Sequence, residues 1–203
     1  MSTPGPAARV RILDTAAALF YEHGYQAVGV DLIVERAAVA KTTLYRHFPS
    51  KDDLIVAYLQ RANDDFWAWF DASVDRAAPP RDQLVAVFDA IERLATSPAC
   101  LGCAFQVSAA EFPDPAHPGH ATARAHKEAV RDRLRGLAVV AGAANPGALG
   151  DALLLVMDGA FAAARMYGPT SPAAQAASAA RAVIDTHVPI RPRHPGQRPS
   201  RET

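Results

Sequence analysis

The chain has 203 residues, with 21 Lys and Arg balanced by 21 Asp and Glu, and half of its residues are apolar. This length allows one domain, or a small domain joined to a larger one, and it buries roughly 70% of the unfolded surface without help from disulfides or metals. The zero net charge excludes a chain that is basic throughout, although it is compatible with a local basic patch. The apolar fraction excludes a protein that is disordered throughout.

The sequence contains no pattern typical of secretion or of a membrane span. Residues 1–8 are small and Pro-rich and lack the apolar segment of a signal peptide. The most apolar long segment, residues 152–164, contains Asp158 and lies between Asp151 and Arg165. Two cysteines are too few for a disulfide-linked secreted fold. We therefore predict a cytoplasmic protein with no membrane partner.

Apolar residues recur at helical spacing along the chain, with Pro or Gly residues between the segments, so the predicted fold class is all-α. Gly24 is expected to end the first helix with a positive φ, and Ser50 with Asp53 forms an N-cap pattern for the fourth. Residues 1–8 and the Arg- and Pro-rich residues 189–203 are predicted to be disordered. The predicted helices cover residues 8–23, 30–37, 41–48, 51–75, 81–95, a segment that starts at Ser97-Pro98, and residues 120–140, 149–167 and 172–187.

The helix at residues 41–48 has the chemistry of a DNA recognition helix. The segment from Arg36 to Lys51 contains basic residues and no acidic one, which is the charge pattern of a phosphate-binding element. Leu44 and Phe48 are four residues apart and can anchor one face in a core. Spacing and charge are also compatible with a helical hairpin that has a solvated, mildly basic face. The side chains that could face outward toward bases or phosphates are Lys41, Thr42, Thr43, Tyr45 and His47.

A motif of about a dozen positions across residues 8–58 resembles the TetR family of bacterial transcriptional regulators. The matching residues are Ala16-x-x-x-Phe20-x-x-x-Gly24-Tyr25, Val30-x-x-Ile33-x-x-x-Ala37 and Lys41-x-Thr43-Leu44-Tyr45-x-His47-Phe48-x-x-Lys51-x-x-Leu54. The resemblance implies a homodimer that binds one palindromic operator in double-stranded DNA. Such a dimer usually represses transcription until a small-molecule effector binds.

The same resemblance divides the chain and assigns its DNA contacts. It implies an N-terminal three-helix helix-turn-helix domain at residues 9–50 and a C-terminal helical ligand-binding and dimerisation domain at residues 51–188, with no cofactor. On this basis the DNA contacts are Lys41, Thr42, Thr43, Tyr45, His47 and Lys51.

Three positions depart from the usual pattern of the family. Gly29 stands where a Ser or Thr usually caps the second helix, and Ala40 replaces the usual Ser cap of the recognition helix. Ala38 replaces the Gly of the turn between these helices, where a positive φ costs more free energy for Ala. Loss of a good N-cap costs ~1 kcal/mol. We therefore expect a slightly less stable head or a locally adjusted turn.

The last two predicted helices, residues 149–167 and 172–187, are apolar or Ala-rich on most sides. A helix that is too apolar to face water needs a partner, and small side chains allow helices to approach closely. The two helices could be core helices of one subunit. The family resemblance favours a four-helix bundle with a second copy, and hence a homodimer formed through these helices.

Aromatic residues cluster in the middle of the chain. A cavity lined by aromatic rings and a few polar groups can hold a small apolar ligand, although the same rings could fill a core. The segment Gly102-Cys103-x-Phe105 also resembles a subgroup of TetR-like regulators, without indicating a ligand. The long fourth helix connects this region to the head and is the expected lever for release of DNA. The predicted ligand-binding residues are Phe66, Trp67, Phe70, Phe88, Phe105 and Glu111.

Two further clusters suggest other kinds of site. Cys100 and Cys103 form a C-x-x-C pair that could make the repressor redox-responsive, although a pair at this spacing can equally be inert core residues. A group of imidazole and carboxylate side chains could bind a metal, or it could simply be solvated in a Pro-rich loop. That group comprises Glu111, Asp114, His117, His120 and His126.

The sequence does not favour an enzyme. It lacks a nucleophile elbow, a phosphate-binding Gly-rich loop and a zinc-protease motif. Ser108, His126 and Asp158 could be drawn as a catalytic triad, but their spacing does not support one. A helix-turn-helix that binds protein instead of DNA is a further alternative, and salt dependence distinguishes the two.

Overall fold

The computed structural model describes residues 6–74 and 76–188, and the secondary structure of these residues is helical, which confirms the all-α prediction. Short 3-10 turns at Gly168–Thr170 and Pro172–Gln175 join the last two helices. In chain order the α-helices are α1 (Pro6–His23), α2 (Val30–Arg36), α3 (Lys41–His47), α4 (Lys51–Ser73), α5 (Pro80–Ala95), α6 (Ala104–Glu111), α7 (Pro118–Val140), α8 (Pro146–Tyr167) and α9 (Ala176–His187).

Several helix ends lie at the capping signals in the sequence. Gly24 follows α1 with a φ of 84°, and the Ser50 side chain accepts a hydrogen bond from Asp53 N at the start of α4. Both features agree with the predictions. Helix α1 begins at Pro6, so residues 6–8 are helical and the disorder predicted for them is wrong. Residues 1–5 and 189–203, also predicted to be disordered, lie outside the described residues.

The predicted start of the sixth helix at Ser97-Pro98 is wrong. A turn closed by the hydrogen bond from Cys100 N to Ser97 O (2.9 Å) occupies this position, and α6 begins only at Ala104. Gly102 has a φ of 96°, which an L side chain rarely adopts and which no α-helix contains. A Cβ atom at Gly102 would also lie 2.9 Å from Arg165 Cβ on α8. This glycine therefore separates the turn from the helix.

The buried apolar side chains form two cores. The first core contains residues of α1, α2, α3 and the first half of α4, together with Phe105 of α6 and Ala123 of α7. The second core contains residues of α4, α5, α7, α8 and α9. Helix α4 contributes Leu54 to the first core and Phe70 to the second. Packing therefore crosses the predicted domain boundary at residue 50.

Among the described residues, α8 is long and apolar enough to span a membrane when judged by length and composition alone. Its two aspartates are paired with basic side chains of α7, and Arg165 donates a hydrogen bond to Leu101 O (3.0 Å). Asp151 contacts Arg131 and Arg135 at 2.6 and 2.9 Å, and these guanidinium groups hold the pKa of Asp151 well below its usual range. Asp158 contacts Lys127 at 2.5 Å. Seven residues of α8 are buried against the rest of the protein, so we describe it as a core helix.

Candidate nucleic-acid interface and ligand cavity

Helices α2 and α3 are joined by a turn of defined geometry. Ala38 N donates to Glu35 O (3.2 Å) and Val39 N donates to Val34 O (3.1 Å). These two bonds form a Schellman motif, which places the residue after the C-cap in the left-handed region. Ala38 occupies that position with a φ of 51°. The positive φ at a residue with a Cβ atom agrees with the conformational cost that the sequence analysis expects at Ala38.

Helix α3 is anchored on one face and exposed on the other. Leu44 is fully buried, and Phe48, which follows the helix, is almost so. The Arg9 guanidinium of α1 lies 5.0 Å from the centroid of the Phe48 ring. Neither Gly29 nor Ala40 provides a side-chain cap for the helix that it precedes, as the sequence predicts. The exposed or half-exposed residues of α3 are Lys41, Thr42, Thr43, Tyr45, Arg46 and His47.

The residues predicted to contact DNA differ in how accessible they are. Tyr45 is 42% exposed, which is high for a large aromatic side chain. Lys41 Nζ lies 2.7 Å from Asp31 Oδ1 of α2, and this hydrogen bond raises the pKa of Lys41. His47 Nε2 is buried and has no hydrogen-bond partner in the described part of the chain. Lys51, the first residue of α4, is partly buried, and burial lowers its pKa.

A cavity of about 500 Å³ lies between α1 and the helices of the C-terminal region. This volume lies within the range of small-molecule sites. Because α1 belongs to the first core, the cavity wall includes part of the helix-turn-helix head. The lining residues are Ala17, Ala18, Tyr21, Tyr58, Arg61, Ala62, Asp65, Phe66, Trp69, Leu94, Gly102, Cys103, Ala104, Phe105, His126, Lys127 and Phe161.

The structure separates the predicted ligand-binding residues. Phe66 and Phe105 line this cavity. Phe70 and Phe88 are fully buried in the second core and do not line this cavity, which agrees with the core-filling alternative for these two rings. Trp67 lies outside the wall of this cavity and lines a smaller neighbouring one.

The sequence analysis missed other cavity residues, which differ in the signal they offer. Trp69 is three residues after Phe66 on α4, so helical spacing could have placed both rings on one side of that helix. Tyr21 belongs to a helix that the sequence assigns wholly to the head, and only tertiary packing brings it to the cavity. Its hydroxyl accepts a hydrogen bond from Leu101 N (2.8 Å), in the turn before α6.

Glu111, the remaining predicted ligand residue, is not part of this cavity wall and contacts the head. Its Oε2 atom accepts hydrogen bonds from Tyr25 N (2.9 Å) and Gln26 N (2.7 Å), in the loop after α1. At the other end of α6, the Tyr25 hydroxyl donates to Ala104 O (2.9 Å). A Cβ atom at Gly24 would collide with Glu111 Oε1. Both ends of α6 are therefore hydrogen-bonded to the head.

His126 is a neutral, buried member of the cavity wall. Its Nδ1 atom lies 2.9 Å from Asn63 Oδ1, which also accepts a hydrogen bond from Trp67 Nε1 (3.1 Å). Because that oxygen is an acceptor, Nδ1 carries the proton of the imidazole. The ring stacks on Phe105 with centroids 3.6 Å apart. Burial, together with the adjacent charge of Lys127, lowers the pKa of His126 to about 3.

The other predicted clusters are not assembled as sites in the described residues. No three His, Cys, Asp or Glu side chains among them could hold one metal ion. His120 Nδ1 contacts Phe112 O at 2.7 Å, and His117 stacks on the same Phe112 ring. Cys100 is buried, Cys103 is half-buried, and neither forms a disulfide.

The residues drawn as a catalytic triad are engaged separately. His126 contacts Asn63, and Asp158 is paired with Lys127. Ser108 Oγ is buried without a hydrogen-bond partner among the described residues, so it contacts neither of them.

A helix-turn-helix head on an all-helical body defines a DNA-binding transcriptional regulator. Residues 12–58 match the family model described as bacterial regulatory proteins, tetR family. A TetR-family transcriptional regulator from Streptomyces coelicolor has 36% identity and a TM-score of 0.84, and the match covers 89% of this chain and 96% of that one. A second TetR transcriptional regulator, from Streptomyces avermitilis, has 31% identity and a TM-score of 0.79, covering 89% and 97% of the two chains. The chain belongs to the TetR family, which is a family of regulators and not of enzymes.

Curated relatives are similar to a shorter part of the chain. The HTH-type transcriptional repressor KstR of Mycolicibacterium smegmatis is 47% identical over 70 residues, which cover 34% of this chain and 32% of KstR. The HTH-type transcriptional activator FasR of the same species is 37% identical over 82 residues, covering 40% and 37% of the two chains. The chain thus spans about a third of the length of these relatives.

Proposed function

We propose that this protein is a cytoplasmic, ligand-responsive repressor that binds a palindromic operator as a homodimer and releases it when a small molecule fills the cavity. The observation that carries this proposal is that α1 of the head forms part of the cavity wall, through Ala17, Ala18 and Tyr21. A ligand in this cavity would contact the head directly and could favour one position of it over another. The repressor KstR and the activator FasR are both similar to part of this chain, and we propose repression because KstR has the higher identity, 47% against 37%.

The proposed DNA contacts are those implied by the family motif. Tyr45 and Thr42 are exposed and can reach phosphates or base edges directly. Lys41 must exchange its bond with Asp31 for a bond to DNA, so part of its charge is already neutralised in the free protein. The full proposed set is Lys41, Thr42, Thr43, Tyr45, His47 and Lys51.

The proposed route of release passes through α6 as well as α4. The amino end of α6 borders the cavity at Ala104 and Phe105. Its carboxyl end holds the loop before α2 through Glu111. Because a helix of this length is stiff, a displacement at the cavity would be passed to the loop that positions α2 and α3. The two heads of a dimer would then lose the 34–36 Å spacing, roughly one helical turn, that successive major grooves require.

The proposed dimer interface is the apolar outer face of α8 and α9. Leu155 and Met166 on α8 are 73% and 75% exposed. Beside Leu155, a shallow groove is lined by small residues that include Gly159, Ala163 and Ala176. Large exposed apolar side chains beside a groove of small residues are typical of a helix–helix interface. A second copy of this chain would cover both.

The proposal is tested by selecting random DNA duplexes on the purified full chain and measuring the affinity for the selected operator. We expect Lys41→Ala and Tyr45→Ala each to weaken binding at least about fivefold, since they remove charged and hydroxyl contacts worth roughly 1–3 kcal/mol. Arg124→Ala is the control, because Arg124 is paired with Glu128 on α7, far along the chain from the head.

Salt dependence separates DNA recognition from protein binding by the same helices. For operator binding, log K should fall by about 0.9 per tenfold increase in salt concentration for each phosphate that the protein neutralises. Failure to select any duplex, or full affinity of a correctly folded Tyr45→Ala variant, would contradict the proposal.

A further inference from the structure

The basic groups in the wall of the 500 Å³ cavity are already neutralised by the protein. Arg61 Nη1 lies 2.5 Å from Asp14 Oδ1 of α1, and Lys127 Nζ lies 2.5 Å from Asp158 Oδ1 of α8. The second pair is mostly shielded from solvent, which strengthens its attraction. An anionic ligand would therefore have to displace a carboxylate that is already in place.

Asp65 is the carboxylate of this wall, and it lies at the exposed side of α4. Within the described residues it forms neither an ion pair nor a hydrogen bond. Arg61 is one helical turn away on the same helix, but it is bonded to Asp14 instead. The charge of Asp65 thus remains available to a ligand, and the wall and its paired carboxylates together carry a net negative charge.

His126 adds a second acceptor to the same wall. Its Nδ1–H is directed to Asn63, so Nε2 presents a lone pair. This Nε2 atom has no hydrogen bond to any described residue, although the side chain is only 5% exposed. Because the imidazole is neutral at physiological pH, it can accept a hydrogen bond but adds no positive charge. Because His126 lines the cavity, this acceptor nitrogen can pair with a donor on the ligand.

Six aromatic side chains also line the cavity, and aromatic rings attract cations through their π-faces. The amino end of α6 at Ala104 contributes an opposing partial positive charge, but this is a fraction of the unit charge on Asp65 and comes from a short helix. The rings that line the cavity are Tyr21, Tyr58, Phe66, Trp69, Phe105 and Phe161.

We propose that this cavity binds an aromatic organic cation that carries at least one N–H donor, with Asp65 and His126 Nε2 as its acceptors. The inference rests on the proposed function, in which this cavity is the effector site. It adds the chemical class of the effector, since a neutral apolar molecule offers no donor to either acceptor and an organic anion would be repelled by Asp65.

The test compares three acridines of nearly equal size by calorimetry on the full chain without DNA at neutral pH. The probes are 9-aminoacridine, which is a cation with N–H donors, acridine, which is largely neutral, and acridine-9-carboxylate, which is an anion. We expect 9-aminoacridine to bind at least tenfold more tightly than the other two. Equal or tighter binding of acridine or its carboxylate, or no binding of any probe, would overturn the inference.

Variants assign the binding to the two acceptors. Asp65→Asn should weaken the binding of 9-aminoacridine about fivefold at low salt and leave acridine unchanged, since a partly exposed ion pair is worth about this factor. Asp64→Asn is the matched control, because Asp64 is the adjacent carboxylate and lines the neighbouring cavity instead. An equal effect of both variants, or none of Asp65→Asn, would contradict the assignment.

A further variant tests the acceptor nitrogen. His126→Phe keeps an aromatic ring against Phe105 but removes Nε2. It should therefore weaken the binding of 9-aminoacridine and leave the binding of acridine unchanged. Operator affinity of the same preparation, measured without any probe, is a separate readout. If the wild-type chain binds the operator but shows no preference for the cation, this inference alone is overturned. If the wild-type chain binds no operator, the proposed function is overturned.

Discussion

Ala38 has a left-handed backbone conformation that its Cβ atom disfavours. The residue is exposed and has a φ of 51°, which is strained for any residue with a Cβ. Ala38→Gly should therefore raise the free energy of unfolding by about 1 kcal/mol, because no packing is lost. Ala68→Gly, at an exposed position inside α4, should lower it by about 1 kcal/mol. Urea unfolding of both variants measures the difference, and a change of the same sign in both would contradict the explanation.

His126 couples the stability of the protein to pH. Burial lowers its folded-state pKa to about 3, whereas an unfolded histidine has a pKa of about 6.5. The unfolded chain thus binds one more proton between these values. The contribution of the neutral His126 side chain to the free energy of unfolding is complete above pH ~6.5. It is lost as the pH falls toward 3, at up to about 1.4 kcal/mol per pH unit. The free energy of unfolding should therefore differ less between pH 7 and pH 5 in His126→Phe than in the wild type. An equal difference in both proteins would exclude His126 as the cause.

At the scale of single elements, α6 is held to the head by Glu111. Glu111→Ala removes the acceptor of two backbone N–H groups and should lower the free energy of unfolding by about 2 kcal/mol. Glu111→Gln keeps an acceptor oxygen and should lose less. Amide hydrogen exchange provides a local readout, since the amides of Tyr25 and Gln26 should exchange faster in the alanine variant. Unchanged exchange at both amides would contradict the contact.

The helices that the sequence predicts well are those with local signals at their ends. The Ser50 cap, Gly24 and the prolines before α5 fix helix ends through the backbone of a few neighbouring residues, whereas α8 begins at Pro146, three residues before its predicted start. The start of α6 depends instead on Gly102, whose conformation is required by contact with α8. No short-range pattern contains that information.

The candidate site follows the same division. The exposed face of α3 follows from the four-residue spacing of Leu44 and Phe48, which the sequence contains. The cavity cannot be predicted from such a spacing, because its wall combines α1 with five later helices. For this reason Phe70 and Phe88 could not be distinguished from Phe66 by residue type. Each is an apolar ring on an amphipathic helix, and only packing decides which of them faces a space.

At the scale of the whole molecule, the two cores share α4 and α7, and the cavity is lined by residues of both cores. A change in the cavity therefore acts on both cores at once. The response of a dimer further requires that the second core be held fixed while the heads move. The contacts of α7 with α8 include two ion pairs through Asp151, and they provide such a fixed frame.

The proposed dimer face gives a prediction about assembly. Leu155→Glu should leave the fold of one subunit intact, because this side chain is 73% exposed there, but it would place two charges in an apolar interface. We expect the wild-type chain to sediment as a dimer at micromolar concentration and the variant as a monomer. Because a monomer binds a single half-site, operator affinity should fall at least tenfold.

Val139→Glu is the matched control, since Val139 is 62% exposed at the end of α7 and the same charge is introduced on a helix outside the proposed interface. This variant should remain a dimer and keep its operator affinity. A wild-type monomer, or a Leu155→Glu variant that still sediments as a dimer, would exclude this face as the interface. If both variants became monomers, the interface would have to extend to α7. In that case the heads would be held by a wider surface than the last two helices provide.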